Sequence, residues 1–230
     1  MELHYPEKQK IIESLIQRGY SHNALHLLND QIRQDPNTAI WYRLKLFALD
    51  EAHRTNEIQR MIPVVQEKFP NSVEATIASA LTSGLYSRDK NRRLLAAIRS
   101  DPEDPFINYL YGKFCYYQEK YYPALIHFQL CLTKCNTFFL AMFLYGNVLS
   151  GYLMPELANK IYEHILNNDV AFDKSRILVR KWINDHFDDY YEQLAPDPEM
   201  RDLMVKYRNL NRREKHINEN TSAQQTNVCP

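Results

Sequence analysis

His127, Cys131 and Cys135 follow one another at i, i+4 and i+8, and a helix would carry all three on one ridge. Imidazole and thiolate are zinc ligands, so a metal site is the first chemistry the chain suggests. The spacing argues against it. At 1.5 Å of rise per residue the three span about 12 Å, too far for one zinc ion to reach them all. His22 and His26 also have the i, i+4 spacing of a helical zinc site, but Asn23 stands where a metalloprotease needs its general-base glutamate, and no third ligand is near in sequence. No His-Glu-x-x-His, Walker A, Gly-x-Ser-x-Gly or Cys-x-x-Cys run occurs. The expectation is a chain without a catalytic site, a metal or a cofactor.

Composition points the same way. The chain has five glycines in 230 residues, about 2% against a usual share of roughly 7%. Phosphate-cradling loops and tight hairpins both consume glycine, so a nucleotide-binding enzyme is poorly supported. With 28 basic and 28 acidic side chains the formal charge is zero, which removes bulk attraction to nucleic acid or anionic lipid. The N-terminal residues show no signal peptide. No run approaches the roughly 20 apolar residues that span a bilayer; the most apolar stretch, 138–149, is interrupted by Gly146 and Asn147. The cysteines Cys115, Cys131, Cys135 and Cys229 form no disulfide framework. A soluble intracellular protein, cytoplasmic or nuclear and with reduced thiols, is expected.

The elements that would position any site are helices. Ile11, Ile12, Leu15, Ile16, Ala24, Leu27, Leu28 and Ile32 recur mostly three or four apart, broken at Gly19-Tyr20-Ser21. Tyr109, Leu110, Gly112, Leu125, Phe128 and Leu132 repeat that layout. Each set reads as two amphipathic helices joined by a short turn. Almost nothing alternates with period two, so the fold class is all-α.

The helices repeat at a fixed interval. The prolines of Asp35-Pro36-Asn37 and Phe69-Pro70-Asn71 are 34 residues apart, and Asp101-Pro102 follows after 32. Gly112 and Gly146, Tyr111 and Tyr145, Ala124 and Ala158, Phe128 and Tyr162, and Leu132 and Leu166 all share the offset of 34. Such hairpins bury their apolar faces only by stacking. Pro105, Pro123 and Pro155 fall near expected helix starts, where a missing N–H costs little. A 34-residue helix-turn-helix unit is the tetratricopeptide period.

The chain resembles tetratricopeptide-repeat (TPR) proteins over about 5–172. Residues 5–38 carry Gly19, Ala24, Leu28 and Asp35-Pro36-Asn37; 105–138 carry Gly112, Cys115, Ala124, Phe128, Cys131 and Leu132; 139–172 carry Gly146, Leu149, Ala158, Tyr162 and Leu166. Residues 71–104 fit through Ala78, Leu81, Leu94, Ala97, Ile98 and Asp101-Pro102, with Lys90 where a small residue is usual. Residues 39–72 fit least well: Lys45 and Leu46 depart from the pattern, and Pro63 should kink the second helix or delay its start. The resemblance implies a right-handed superhelix of stacked helical hairpins.

A helical repeat domain is therefore expected over 1–195, closed by a capping helix within 173–195 whose apolar side carries Val179, Ile183, Phe187, Tyr190, Tyr191 and Leu194. A basic helix follows over 196–216 and a polar, disordered tail over 217–230. The resemblance also implies a binding surface, because the first helices of such units line a concave groove. The matching positions are Phe106, Tyr109, Lys113 and Tyr116, then Leu140, Phe143, Asn147 and Ser150. Aromatic anchors of this kind are favoured binding hot spots. Relatives that clamp a C-terminal carboxylate carry lysine, asparagine, asparagine, lysine and arginine across three units. Here those positions read Gln9, Glu13, Leu44, Ser72 and Thr76, so that activity is not implied. The implied function is a non-catalytic scaffold or adaptor that binds a protein, as a peptide or helix, in an aromatic groove. The alternative is a chaperone for secreted proteins, similar to the TPR chaperones of bacterial secretion systems. Self-association of the apolar hairpin 11–32 into a homodimer is a further possibility.

Overall fold

Eleven helices and no strand make up the residues that the computed structural model describes, namely 5–151, 154–169, 172 and 174–185. In chain order they are α1 (Tyr5–Gln17), α2 (Ser21–Gln34), α3 (Ala39–Glu51), α4 (Thr55–Lys68), α5 (Val73–Leu81), α6 (Arg88–Ser100), α7 (Pro105–Tyr117), α8 (Tyr121–Lys134), α9 (Phe139–Gly151), α10 (Pro155–Asn168) and α11 (Lys174–Asp185). The rest of the expected cap, the basic helix 196–216 and the tail lie outside the described residues.

Helices pack in consecutive pairs, α1 with α2 through α9 with α10, and each pair packs on the next. Odd-numbered helices also meet one another: α1 meets α3, α3 meets α5, α7 meets α9, and α9 meets α11. Burial follows from that arrangement. α9 touches helices on several sides and buries residues all round, from Phe139, Ala141 and Phe143 to Val148 and Leu149. α10 buries a single stripe of Pro155, Ala158, Tyr162 and Ile165, the pattern of a helix with one face in water.

The 34-residue period is written into the backbone. At the turn inside a hairpin, Tyr20 N–H donates to the Leu15 carbonyl, Arg54 to Leu49, Lys120 to Cys115 and Met154 to Leu149, all at 2.8–2.9 Å. These six-to-one bonds satisfy carbonyls left over at a helix C-terminus. Gly19 (φ 84°), His53 (φ 56°) and Glu119 (φ 59°) supply the left-handed residue that the turn needs. Between hairpins, Asp35 N–H donates to Gln31, Phe69 to Val65, Asp101 to Ala97, Cys135 to Cys131 and Asp169 to Ile165. The donors are spaced by 34, 32, 34 and 34 residues, so only the third hairpin is short. Its first helix, α5, has 9 residues where α1, α3, α7 and α9 have 13. Side chains cap the starts of α5, α6 and α7: Ser72 Oγ accepts from Ala75 N–H, Ser87 Oγ from Asp89 N–H, and Asp104 Oδ1 from Ile107 N–H.

One local expectation is corrected. α4 starts at Thr55 and contains Pro63, so the proline does not delay it. Pro63 removes the partner of the Gln59 carbonyl, and both residues are exposed, so water can take the lost bond. Lys45 and Leu46, irregular in sequence, are accommodated differently: Leu46 is fully buried in the core, while Lys45 is half-buried, with burial pulling its pKa down.

Gly112 and Gly146 set how closely the paired helices approach. A Cβ at Gly112 would stand 2.8 Å from the Phe128 ring, and one at Gly146 would stand 2.6 Å from the Tyr162 ring. Tyr162 cannot yield, since it is fully buried and donates a hydrogen bond to Asn147 at 2.8 Å. Gly146→Val should therefore destabilise the fold by about 1–3 kcal/mol, lowering the midpoint by roughly 2–4 °C per kcal/mol in a chain of this size. Thermal unfolding followed by circular dichroism measures this; Gly151→Ala, whose Cβ meets nothing within 4 Å, should leave the midpoint nearly unchanged.

Candidate functional site

α7 and α9 face a cavity of about 940 Å³. Residues spaced three or four apart lie on one face of a helix, and that rule produces both main walls. α7 contributes Tyr109, Lys113 and Tyr116, joined by Tyr117; α9 contributes Leu140, Phe143, Leu144 and Asn147. The turn 18–21 between α1 and α2 closes one side, and Glu51 and His53 at the end of α3 close another. Phe172 and the α11 residues Val179 and Arg180 complete the lining.

Six of the eight groove residues expected from sequence therefore border one cavity, but they do not border it equally. Tyr116 and Leu140 are half-buried and present surface to it. Tyr109, Phe143 and Asn147 are almost fully buried and serve mainly as its floor. Phe106 is not on the wall. It packs in the core between Phe47 and Phe138, with ring centres 5.2 and 5.1 Å away, because α3 and the segment leading into α9 cover that end of α7. Ser150 is also engaged elsewhere: its hydroxyl donates to Asn184 Oδ1, and Asn184 Nδ2 donates to Asn159 Oδ1, tying α11 to α9 and α10. On α11 the buried anchor is Ile177, whereas Val179, expected on the apolar side of the cap, is 57% exposed and borders the cavity.

The polar side of the cavity is held by ion pairs. Lys113 Nζ lies 2.9 Å from Asp50 Oδ2 and 2.6 Å from Glu51 Oε1. Burial opposes its charge, but the two carboxylates prevail and hold its pKa above the ordinary lysine range. Tyr109 Oη donates to the same Glu51 oxygen at 3.0 Å. Burial and then that carboxylate push the Tyr109 phenol far above its usual value, so it stays a donor. Lys113 is thus committed to two acids, of which Glu51 borders the cavity. Asn147 Oδ1 accepts from Tyr162, which leaves the Asn147 amide hydrogens as donors. Neighbouring Arg43 joins the same helices, donating to Glu74 Oε1 at 2.9 Å and to Asp104 Oδ2 at 2.7 Å.

Arg18, Tyr20, Leu144, Phe172, Val179 and Arg180 border the cavity without having been expected there. Leu144 could have been found from its place beside Phe143 on the inner helix. Arg18 and Tyr20 carry no local signal, because their nearness to α9 depends on how the ends of the array meet; Phe172, Val179 and Arg180 come from the segment that packs next on α9 and α10.

The histidine and cysteines that could ligate metal have structural partners. Asn108 Nδ2 donates to the Pro102 and Asp104 carbonyls, so its Oδ1 accepts from His127 Nδ1, 2.9 Å away. The Tyr111 ring stands edge-on to His127. Cys131 is fully buried, and burial raises its thiol pKa far from the thiolate range. Among the described residues no group of three histidine, cysteine or acidic side chains could hold a metal, and no helix is long and apolar enough to cross a membrane.

No known protein family matches this chain, and no curated protein does either.

Two measurements probe these assignments. Lys113→Met leaves Asp50 and Glu51 facing each other without a cation. The loss expected from thermal unfolding is about 2–3 kcal/mol, below the roughly 3–5 kcal/mol of a fully buried pair because these side chains keep some exposure. Burial lowers the His127 pKa below its unfolded value. Just below about pH 6.5 the unfolded chain thus binds more protons than the folded one. The associated stability is present above that pH and lost as pH falls through the lowered folded value. His127→Gln should flatten this decline in melts compared between about pH 7.5 and pH 5.5.

Proposed function

We propose that the chain is a tetratricopeptide-type repeat protein whose hairpins wind into a right-handed superhelix, and that it acts as a non-catalytic scaffold or adaptor. In this reading its partner is a short amphipathic peptide segment held between α7 and α9. The observation that carries the proposal is the convergence of two inner-helix faces, both with aromatic residues, on one open cavity. The recurring 34-residue capping pattern supports the family reading, since it reproduces the period of that unit in hydrogen bonds as well as in residue types.

Size and chemistry narrow the occupant. An α-helix about 10 Å across and 5.4 Å in pitch occupies roughly 420 Å³ per turn. A cavity of about 940 Å³ therefore has room for a short helical or extended stretch. Leu140, Phe143, Leu144, Phe172 and Val179 offer an apolar side. Tyr116 and the Asn147 amide offer hydrogen bonds, beside the Lys113–Glu51 ion pair. A segment with apolar residues on one face and amide or hydroxyl groups on the other matches that lining.

Tyr116 and Leu140 are the residues to change, because Tyr109 and Phe143 are too buried to lose without harm to the fold. A peptide selected from a random library on the wild-type chain should bind Tyr116→Ala or Leu140→Glu at least about tenfold more weakly, a difference of roughly 1.4 kcal/mol. Isothermal titration calorimetry reads the affinity, and an unchanged helical circular dichroism spectrum shows that the fold survives. Equal binding by both variants would remove the cavity from the function.

A further inference from the structure

The two ends of the array touch. The turn between α1 and α2 seats against α9 and the end of α10, joining residues 149 apart in sequence. Tyr20 Oη donates to Asp169 Oδ1 at 2.7 Å. The Arg18 guanidinium lies 3.6 Å from Asp169 Oδ2 and 5.3 Å from the centre of the Phe139 ring. Gly19 lies beside Leu140: a Cβ there would stand 3.5 Å from it, in ordinary contact. Arg18, Gly19 and Tyr20 border the cavity, and so does Leu140. The contact that joins the ends is therefore also a wall of the candidate site.

Closure is opposed from within. Arg18 Nε and Ser21 Oγ are buried with no hydrogen-bond partner among the described residues. A buried polar atom without a partner forfeits its hydration, and opening would restore it. The attraction is modest in kind: one tyrosine–carboxylate hydrogen bond, one ion pair at 3.6 Å and one cation–ring contact. Favourable contacts set against unpaired polar atoms at one seat are what a two-state element would need. Leu140 couples that seat to the cavity, because it touches both Gly19 and the space a ligand would fill.

We propose that the contact of Arg18 and Tyr20 with Asp169 is a latch that gates the cavity between α7 and α9, closing it when the array's ends meet and opening it when the first hairpin swings away. This rests on reading the cavity as a binding site. Tyr20 is suited to the role: burial and then Asp169 hold its phenol pKa up to about 12, so it remains a donor at neutral pH. Opening would lengthen the cavity into a groove and admit a segment longer than the closed state can hold.

The test compares the full-length chain with the Tyr20→Phe/Asp169→Asn double variant, which keeps side-chain size and removes the hydrogen bond and the charge. In hydrogen–deuterium exchange, amides at 18–24 and 138–145 should exchange at least about fivefold faster, with α5 to α8 unchanged. In stopped flow, 8-anilinonaphthalene-1-sulfonate should associate at least about threefold faster with the variant, and Leu140→Glu in the same background should remove that gain. Unchanged exchange at the two segments would overturn the latch. Faster exchange throughout the chain would overturn it as well, making the contact a staple of the whole fold. Local loosening without faster dye association would show a contact that opens but does not gate. Failure to select any peptide would count against the cavity as a peptide site, while both arms of this test would still read the latch directly.

Discussion

Lys113 holds the inner side of this molecule together. Its ammonium group meets Asp50 and Glu51 at the last turn of α3, so it joins the second hairpin directly to the fourth. The reason lies in the third hairpin. α5 ends at Leu81, and the residues 34 positions after Asp50 and Glu51 are Gly84 and Leu85, already in the loop. Past that level α5 no longer stands beside the end of α3, and charged side chains make the connection. Arg43 does the same one level away, with Glu74 on α5 and Asp104 at the start of α7. Buried charges are tolerated only when paired and hydrogen-bonded, and these are both.

The cavity is a consequence of the same arrangement. Ion pairs set the distance between α3 and α7, and the glycine-to-ring contacts of Gly112 and Gly146 set the distance within the fourth and fifth hairpins. Between those constraints α7 and α9 present their inner faces to a space that no side chain fills. Their aromatic residues divide into two groups. Phe106, Tyr109 and Phe143 pack into the protein and make the walls rigid, while Tyr116 and Tyr117 keep surface toward the opening. Rigid walls reduce the entropy lost when a ligand is ordered against them.

Much of the fold was legible in the residues. The offset between Gly112 and Gly146 and that between Phe128 and Tyr162 express one contact made twice, a ring laid on a glycine, and the recurrent turn bonds follow the same interval. The candidate wall was legible for a related reason: Tyr109, Lys113 and Tyr116 share a helix face whatever the helix packs against. Which members of that face stay accessible was not legible. Phe106 and Tyr116 are both aromatic and belong to the same face, yet one is covered by Phe47 and Phe138 and the other is not. The pairing of Lys113 with Asp50 and Glu51 was not legible either, because those partners lie 63 and 62 residues away.

Taken alone, the amino-acid sequence determined the helices, their pairing and the interval at which they repeat, because these depend on contacts within one or two turns and within one hairpin. Tertiary structure alone decided that Tyr20 reaches Asp169, that Arg18 and Leu140 border the same space, and that the inner faces of α7 and α9 look onto a cavity with α11 at its rim. The physical reason is accumulation. Each hairpin packs on its neighbours, and where the ends of the array fall depends on the sum of those packings, including the shorter third hairpin. No local run of residues encodes that sum.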